Sequence, residues 1–325
     1  MILINFFLLN KKINSTREFV SYCNQNGYIV LLIEIILIFI LIFAFGRPDS
    51  IGDRGEPSAL YEYSIIFFII GFCYCGKNKK MKFSLLFIMI LFIGQNMIYG
   101  GRITALQLLM VMYFFLIYKK IPNKIIIPIV FIIFIIMMAI GNFRGEILYS
   151  SNIITETINS IKENKLTLDT AYSAYFTSMT FIYIKPFFDL SNRLILFFRF
   201  FLSMILGSGI PGSNLATVSR EYVVHYYGGI LPYFFYFWFG WIGILIPTFL
   251  LNLYFKMFNK ENISKFSKFL SLYIVATVPR WYLYAPTQLI RGVLLFSLVY
   301  IVMNILNYLL KKNGVKGVKY AKINC

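Results

Sequence analysis

The arginines of this chain are distributed differently from its lysines. When the apolar runs are read as membrane spans, all lysines except Lys162 and Lys165 fall on the inner side, whereas most arginines fall on or near the outer side. Topology signals need only charge and do not separate Lys from Arg. A guanidinium offers a planar fork of donors that matches phosphate or carboxylate oxygens, which an ammonium cannot match. The pattern predicts an outer pocket for an anionic ligand, built from Arg47, Arg54, Arg102, Arg144, Arg220, Arg280 and Arg291.

Local sequence strengthens three of these candidates. Arg102 follows two glycines at the outer mouth of a span, and Arg144 follows the next outward span in the turn 141–146 (GNFRGE). Arg280 follows Pro279 inside an apolar segment, about one turn from its outer boundary at ~1.5 Å per residue. Ionisable groups inside a span are costly and are functional candidates. The alternative is an ion pair with a neighbouring acid, as for Arg144 with Glu146.

The segment 207–229 (GSGIPGSNLATVSREYVVHYYGG) carries a second kind of chemistry. Its first glycines and Pro211 predict an irregular start, Ser213 or Asn214 can cap a helix, and the glycine pair 228–229 can stop it. That helix places Glu221 and His225 at positions i and i+4 on one face. A carboxylate that orients an imidazole is the ordinary arrangement of a general base. The alternative is a structural hydrogen-bonding role for His225, the single histidine of the chain.

Composition determines the environment of these residues. The 325 residues are 59% hydrophobic and 14% charged, with a mean hydropathy of +0.74, whereas soluble domains are about half apolar and a quarter charged. A soluble enzyme, a disordered chain and a disulfide-stapled module are excluded. The net charge of +18 lies in short clusters between apolar runs, so it is read as cytoplasmic loop anchors and not as a nucleic-acid surface.

The apolar runs predict an all-α polytopic membrane protein with about ten transmembrane helices, since a span takes roughly 20 residues. The pair 171–184 and 194–206 is the weakest, because the first is rich in Ser and Thr and the second contains Arg199; without it eight spans remain. Both termini are expected in the cytoplasm. The other spans are Tyr28 to Phe45, Tyr63 to Gly76, Phe83 to Tyr99, Ile103 to Tyr118, Ile125 to Ile140, Ile230 to Phe255, Phe269 to Tyr284 and Gly292 to Leu310.

The chain is expected to form a single integral membrane domain over residues 1–325, without linker or repeat. The outer loops are 46–62, 141–170 and 207–228, so any chemistry is expected at the outer face. Cys73 and Cys75 lie in an apolar run without a second pair or a His cluster, so no metal site is expected. Glu34, in the middle of the first span, is a further functional candidate or a partner for a neighbouring helix.

Several stretches together resemble a known family. They are the outward arginines, the span entry GRITALQLLMVMYFFLIYKK at Gly101, the GNFRGE turn at Gly141, the block SNLATVSREYVVHYYGGILPYFFYFWFGWIGIL from Ser213, and RWYLYAPTQLIRG from Arg280. They are similar to Wzy-type oligosaccharide repeat unit polymerases of O-antigen and capsule synthesis. The resemblance covers about two thirds of the chain. The central outer loop of this chain is shorter than that of the longer members of the family.

The resemblance implies a multi-pass protein of the bacterial inner membrane and a metal-independent glycosyltransferase without cofactor. Its donor and acceptor would be undecaprenyl-pyrophosphate-linked glycans, and a chain-length regulator and a flippase would share its pathway. By this hypothesis Arg102, Arg144, Arg280 and Arg291 bind the pyrophosphates and Arg220 lies nearest the reacting centre. His225, oriented by Glu221, deprotonates the acceptor hydroxyl. Preorganised cations would stabilise the leaving pyrophosphate.

Three alternatives remain open. A polyprenyl-phosphate-dependent glycosyltransferase would use acids of the first outer loop, where Asp49, Asp53 and Glu56 lie. An O-antigen ligase shares the arginine and histidine chemistry and differs in its acceptor. A lipid-linked oligosaccharide flippase would need polar or broken segments at the midplane of both halves. The dense aromatics between Tyr222 and Trp241 fit sugar stacking or, more commonly, an interfacial belt.

Overall fold

The computed structural model describes residues 25–46, 56–99, 101–118, 124, 125, 128, 169–207, 209–225, 228–258 and 264–321. About 83% of this part of the chain is helical. The strands in it are β1 (Phe45–Gly46) and β2 (Glu56–Pro57), which pair antiparallel with Phe45 opposite Pro57. The predicted all-α class is therefore confirmed.

The helices fall into an N-terminal and a C-terminal group. The N-terminal group is α1 (Gly27–Phe43), α2 (Ala59–Glu62), α3 (Ser64–Cys75), α4 (Lys79–Tyr99) and α5 (Arg102–Met112), which continues as a π-helical turn, Tyr113–Ile117. The C-terminal group is α6 (Asp169–Ile184), α7 (Leu190–Leu206), α8 (Leu215–Arg220), α9 (Leu231–Phe239), α10 (Trp241–Phe258), α11 (Lys265–Ala276), α12 (Val278–Leu283) and α13 (Thr287–Ala321).

Polar caps and glycines account for many of these boundaries. Asn26, Asp189 and Asn214 each precede a helix and accept hydrogen bonds from its first backbone N–H groups, which otherwise have no partner within the helix. Gly240 has a φ of +66°, a conformation that glycine adopts without steric cost, and it separates α9 from α10. The local sequence thus sets where several helices begin and end.

One end of the bundle is joined by amide hydrogen bonds and is called here the asparagine end. Asn26 donates to Asn307 at 2.9 Å, and the Tyr74 hydroxyl donates to Asn304 at 2.9 Å. These bonds connect the start of α1 and the end of α3 to the distal part of α13. Lys79, which opens α4, lies at the same end, since a tight turn in which the backbone N–H of Asn78 bonds to the carbonyl of Cys75 at 3.0 Å connects α3 to α4.

The opposite end is called here the arginine end. It contains the C-terminal turns of α1 and α4, because Gln95 donates to the carbonyl of Leu41 at 3.3 Å. The Tyr61 hydroxyl of α2 bonds to Gln95 at 2.9 Å, so the junction of α2 and α3 also lies at the arginine end. Arg280 of α12 forms an ion pair with Glu62 at the end of α2. Tyr74 at the asparagine end lies twelve positions after Glu62 at the arginine end, so the two ends are about 18 Å apart at the helical rise per residue.

Two helices of the described chain have the length and composition of a membrane span. They are Lys79–Tyr99 and Thr287–Lys312, while Gly27–Phe43, Ala59–Cys75, Ile103–Ile117 and Trp241–Tyr254 are apolar but shorter. The helix lengths in the described residues therefore do not reproduce the predicted number of about ten spans. The predicted span from Ile125 to Ile140 lies almost wholly outside the described residues. The two least certain predicted spans, 171–184 and 194–206, are helical and correspond to α6 and α7.

Two predicted single spans are each broken into two helices. The run from Ile230 to Phe255 divides at Gly240 into α9 and α10, which pack against each other. The run from Phe269 to Tyr284 divides at Thr277, whose hydroxyl bonds to the carbonyl of Tyr273 at 2.7 Å, and Pro279 occupies the first turn of α12. Hydropathy alone does not register such breaks, because the residues on both sides are apolar.

Gly292 of α13 allows α11 to approach closely. A Cβ added at Gly292 would overlap the Tyr273 hydroxyl and lie 2.8 Å from the ring carbon that bears it. We expect Gly292→Ala to lower the free energy of unfolding by about 1–3 kcal/mol through overpacking. Thermal unfolding of the protein purified in detergent measures this effect.

Gly94 of α4 provides the matched control, because no atom lies within 4 Å of its added Cβ. Gly94→Ala is expected to leave stability unchanged or to raise it, since alanine favours the helix. Adding Tyr273→Phe to Gly292→Ala is expected to restore part of the loss. Equal unfolding temperatures for Gly292→Ala and Gly94→Ala would contradict the close packing of α11 on α13.

Candidate functional site

The arginine end holds the clearest charged cluster of the described chain. Arg280 pairs with Glu62 through its Nη2, and both side chains are largely buried, with 21% and 17% exposed. The break at Thr277 starts the short helix α12, which carries Arg280 toward α2. The Nε of Arg280 is buried and has no hydrogen-bond partner in the described chain. The pair leaves part of the guanidinium fork available to a further acceptor.

Arg291 and Tyr63 complete this cluster. Tyr63 follows Glu62 and is 8% exposed. Its electrostatic neighbours include Arg291, Arg280 and Glu62, and its side chain shares a hydrogen bond with Gln288. Tyr273 of α11 also lies within electrostatic reach of Tyr63 and Arg280. The two guanidiniums and one carboxylate carry one excess positive charge, so this end of the bundle favours an anion. We call Glu62, Tyr63, Arg280, Gln288 and Arg291 the arginine cluster.

Two glycines of the segment 207–229 make room for arginines. A Cβ on Gly207, whose φ is +115°, would lie 3.3 Å from Nη2 of Arg291. A Cβ on Gly212, whose φ is +71°, would lie 3.2 Å from Nη1 of Arg199. The predicted irregular start of this segment is thus observed. Its glycines pack against guanidinium groups of α13 and α7.

The segment after these glycines folds back among the helices. Leu215 and Ala216 of α8 are buried in a cluster with Trp238 and Phe181. The backbone N–H of Ile230 donates to Ser178 of α6 at 2.8 Å, and that of Gly229 donates to the carbonyl of Leu283 in α12 at 3.0 Å. Part of the predicted outer loop 207–228 is therefore buried, and the residues that follow it, Gly229 and Ile230, bond to α12 and α6.

The predicted helix across Glu221 and His225 is wrong. Helix α8 ends at Arg220, and residues 221–225 form turns and irregular backbone, so the i and i+4 arrangement does not exist. Asn214 does cap the helix, as predicted, by accepting from Ala216 at 3.1 Å. The segment after Arg220 is not packed along its whole length, since Val224 is 92% exposed.

His225 is buried and bonded to hydroxyl groups. Its Nε2 lies 2.7 Å from the Ser219 hydroxyl and its Nδ1 lies 3.2 Å from the Thr177 hydroxyl. The imidazole therefore bridges α8 and α6. Glu221 and Arg220 are both exposed. This geometry fits the structural role that the sequence left open for His225, whereas its catalytic role stays a prediction.

The remaining predicted residues have different outcomes. Arg102 is the first residue of α5, and nothing is described of its side chain. Arg144, Arg47, Arg54, Asp49 and Asp53 lie outside the described residues. Glu34 lies in α1 with one carboxylate oxygen buried and without a hydrogen-bond partner in the described chain. Among the substrate-binding candidates, the structure brings Arg280 and Arg291 together.

Sequence reasoning missed Glu62 and Tyr63. The sequence pattern places Glu62 at the end of an outer loop and Tyr63 at the start of a span. The available signal was an acid placed directly before an apolar run, at the boundary where arginines were expected. In the described ranges no three side chains of His, Cys, Asp or Glu come together in a way that could hold a metal ion.

No family model, curated protein or solved structure matches this chain. Its function is therefore argued from its own residues and from the arrangement of the arginine cluster.

We expect His225→Ala to destabilise the protein. The substitution removes one hydrogen bond from each of two hydroxyls, on Ser219 and Thr177, whose residues are fully buried, and a typical hydrogen bond contributes about 0.5–1.5 kcal/mol. The control is Val224→Ala, one residue earlier and almost fully exposed, which should leave the unfolding temperature unchanged. A His225→Ala protein as stable as the wild type would refute the structural role.

Proposed function

We propose that this chain is a polytopic inner-membrane glycosyltransferase that joins undecaprenyl-pyrophosphate-linked oligosaccharide repeat units into O-antigen or capsular polysaccharide. The observation that carries the proposal is the arginine cluster, in which the Arg280–Glu62 ion pair and Arg291 of α13 lie around Tyr63. Such a cluster supplies the planar donors that a pyrophosphate requires. Support also comes from the resemblance of the blocks after Gly101, Ser213 and Arg280 to the polymerase family.

A membrane location is supported by the apolar surface of the helices. Phe39 of α1, Phe87 of α4 and Leu298 of α13 are more than half exposed, among many other large apolar side chains. Exposed apolar surface on this scale is typical of a lipid-facing protein. The finer proposal of about ten spans with both termini in the cytoplasm rests on the loop charges.

The orientation is supported by the separation of the two basic residue types. Lys79, Lys80 and Lys82 start α4 at the asparagine end, whereas Arg280 and Arg291 lie at the arginine end. We therefore propose that the asparagine end faces the cytoplasm and the arginine end faces the outer side. Donor and acceptor pyrophosphates would then reach the arginine cluster from the outer leaflet.

In the proposed reaction the acceptor hydroxyl oxygen forms a bond to the anomeric carbon of the donor glycan. The bond between that carbon and the donor pyrophosphate oxygen breaks, undecaprenyl pyrophosphate leaves, and the hydroxyl proton is released. Negative charge grows on the leaving oxygen, and fixed guanidiniums stabilise that charge without reorganisation. Arg280 and Arg291 carry this role. The role of His225 as the base stays a prediction, and its ring nitrogens bond to Ser219 and Thr177.

The orientation is testable with single cysteines. In a protein whose native cysteines are replaced, Ala59→Cys at the arginine end should react with a membrane-impermeant maleimide in spheroplasts. Lys79→Cys at the asparagine end should react only after the membrane is opened. Both positions are exposed, so accessibility of the thiol is matched. The reverse labelling pattern would contradict the orientation.

The function is testable from the glycan ladder of cells that lack this protein. Loss of the ladder, with a single repeat unit still attached to lipid A core, is expected for a polymerase. Lipid-linked units that never reach the outer face would indicate a flippase. A missing sugar would indicate a glycosyltransferase of unit assembly, and polymer retained on the lipid carrier would indicate a ligase.

Complementation connects the ladder to the arginine cluster. Arg280→Lys and Arg291→Lys keep the charge but lose the fork, and each is expected to lower polymer yield at least about tenfold. The control is Arg193→Lys, because Arg193 bonds to the carbonyl of Phe237 at 3.3 Å and lies near the start of α7, far from Gly207 at its end. Wild-type yield from both cluster variants at equal protein levels would refute the proposed role of the arginine cluster in binding pyrophosphate.

A further inference from the structure

The turn between α6 and α7, residues 185–189, touches a segment that the sequence places on the opposite side of the membrane. Loop charges predict an inner position for this turn, which carries Lys185, and an outer position for the segment 207–228. In the structure the ring centroid of Tyr222, from that segment, lies 5.8 Å from the ring centroid of Phe187. Rings in contact lie at the same depth, so the two predicted positions are incompatible.

Contacts of α6 with the arginine end set the depth of the turn. The Ser178 hydroxyl accepts from the backbone N–H of Ile230, and the neighbouring Gly229 bonds to the carbonyl of Leu283 in α12. Lys185 follows Ser178 by seven positions, so α6 carries the turn at most about 10 Å below this contact at the helical rise per residue. The hydrocarbon core of a bilayer is about 30 Å thick. The turn therefore stays in the outer part of the membrane.

Both ends of α7 lie near this outer boundary. Its first residue, Leu190, follows the turn, which is compact because the backbone N–H of Phe188 bonds to the carbonyl of Lys185 at 3.3 Å. Gly207, directly after its last residue, packs against the guanidinium of Arg291. The 17 residues of α7 are about 25 Å long, so a depth difference of about 10 Å tilts its axis about 65° from the membrane normal. Helix α7 therefore lies closer to the membrane plane than to the normal.

One face of α7 is apolar and exposed. The side chains of this face recur every three or four residues and are between 46% and 61% exposed: Ile195, Phe198, Leu202 and Ile205. Another face packs into the protein, where Phe200 and Met204 share a cluster with Trp238. Such an exposed stripe requires lipid whether the helix crosses the bilayer or lies flat. The positions of its two ends favour the flat arrangement.

Exposed aromatic rings surround the α6–α7 turn and are called here the aromatic rim. They are between 48% and 77% exposed: Tyr183, Phe187, Tyr222 and Trp241. The Nζ of Lys185 lies 4.4 Å from the ring centroid of Tyr236, whose ring contacts that of Trp241. Tyrosine and tryptophan concentrate at the boundary between membrane and water. The aromatic rim thus indicates that the turn lies at headgroup depth.

We propose that α7 and the α6–α7 turn form a lipid-binding surface that lies in the outer leaflet and does not cross the membrane. The apolar face of α7 contacts acyl chains, and the aromatic rim contacts lipid headgroups. This inference rests on the membrane location and orientation of the proposed function. It removes the pair 171–184 and 194–206 from the proposed spans and leaves the orientation of the other spans unchanged.

The surface also gives a position to Arg220 and Glu221. Both are exposed and directly precede Tyr222 of the aromatic rim, so they lie at the headgroup layer of the outer leaflet. The pyrophosphate of a lipid-linked glycan lies in the same layer. Two residues that the sequence predicts to act on such a substrate are therefore at its depth.

The first test measures the depth of α7 with a fluorophore on single cysteines. Full-length protein without native cysteines is placed in phosphatidylcholine vesicles, and lipids brominated at known acyl positions quench the label. Labels on Ile195→Cys, Phe198→Cys, Leu202→Cys and Ile205→Cys should all lie near the headgroups. Their depths should differ by at most about 6 Å, because these ten positions cover about 15 Å of a helix tilted by about 65°.

Helix α1 provides the matched control, because it connects the asparagine end to the arginine end. Its control positions have the same spacing and are between 45% and 57% exposed: Leu31, Ile35, Ile38 and Ile42. Labels there should include positions near the bilayer centre. An α7 series that passes the bilayer centre as the α1 series does would overturn the proposal. Absence of quenching in both series would refute the membrane location and the proposal with it.

The second test determines the side on which the turn lies. Asn192 is exposed near the start of α7, and Asn192→Cys should react with the impermeant maleimide in spheroplasts, as Ala59→Cys does. Reaction only after the membrane is opened, together with Lys79→Cys, would show that α6 and α7 cross and would overturn the proposal. If the whole protein has the reverse orientation, Asn192→Cys and Ala59→Cys still react together. Failure of the proposed orientation is thus distinguishable from failure of this inference.

Discussion

The ion pair between Arg280 and Glu62 is the interaction on which the arginine end depends. It joins two parts of the chain that are 218 residues apart, and both groups are largely withdrawn from solvent. A charge buried without its partner is strongly unfavourable, so the pair keeps α12 against the α2–α3 junction. Tyr63 follows Glu62 and is thereby held beside Arg280 and Arg291. The pair thereby sets where α12 meets the start of α3.

Interruptions in apolar runs make that contact possible. A continuous helix through Thr277 would carry Arg280 further along the axis of α11 instead of turning it toward Glu62. The chain turns at Thr277 into α12, and Gly229 bonds to Leu283 at the end of this short helix. The segment that contains His225 is therefore attached to the helix that carries Arg280. His225 supports this attachment by bridging α8 and α6.

The two ends of the bundle use different polar groups for different purposes. At the asparagine end, neutral amides and the Tyr74 hydroxyl bond to each other, and the helices are joined without a charged site. At the arginine end, Arg280 pairs with Glu62, Arg291 lies nearby, and the buried Nε of Arg280 has no partner within the described residues. Polar groups that satisfy each other stabilise a fold, whereas unpaired donors beside excess positive charge favour a bound anion.

The sequence by itself determined the all-α class, because apolar runs without alternation leave helices as the only way to pair the backbone. It also predicted the Asn214 cap, the irregular glycine start at Gly207 and an outer arginine site, since these depend on residue type and near neighbours. Only the tertiary structure decided that α8 ends at Arg220, that His225 bonds to Ser219 and Thr177, and that Glu62 and Tyr63 lie with Arg280. These outcomes depend on which distant side chains meet when the helices pack, and no local pattern specifies the partner of a buried charge.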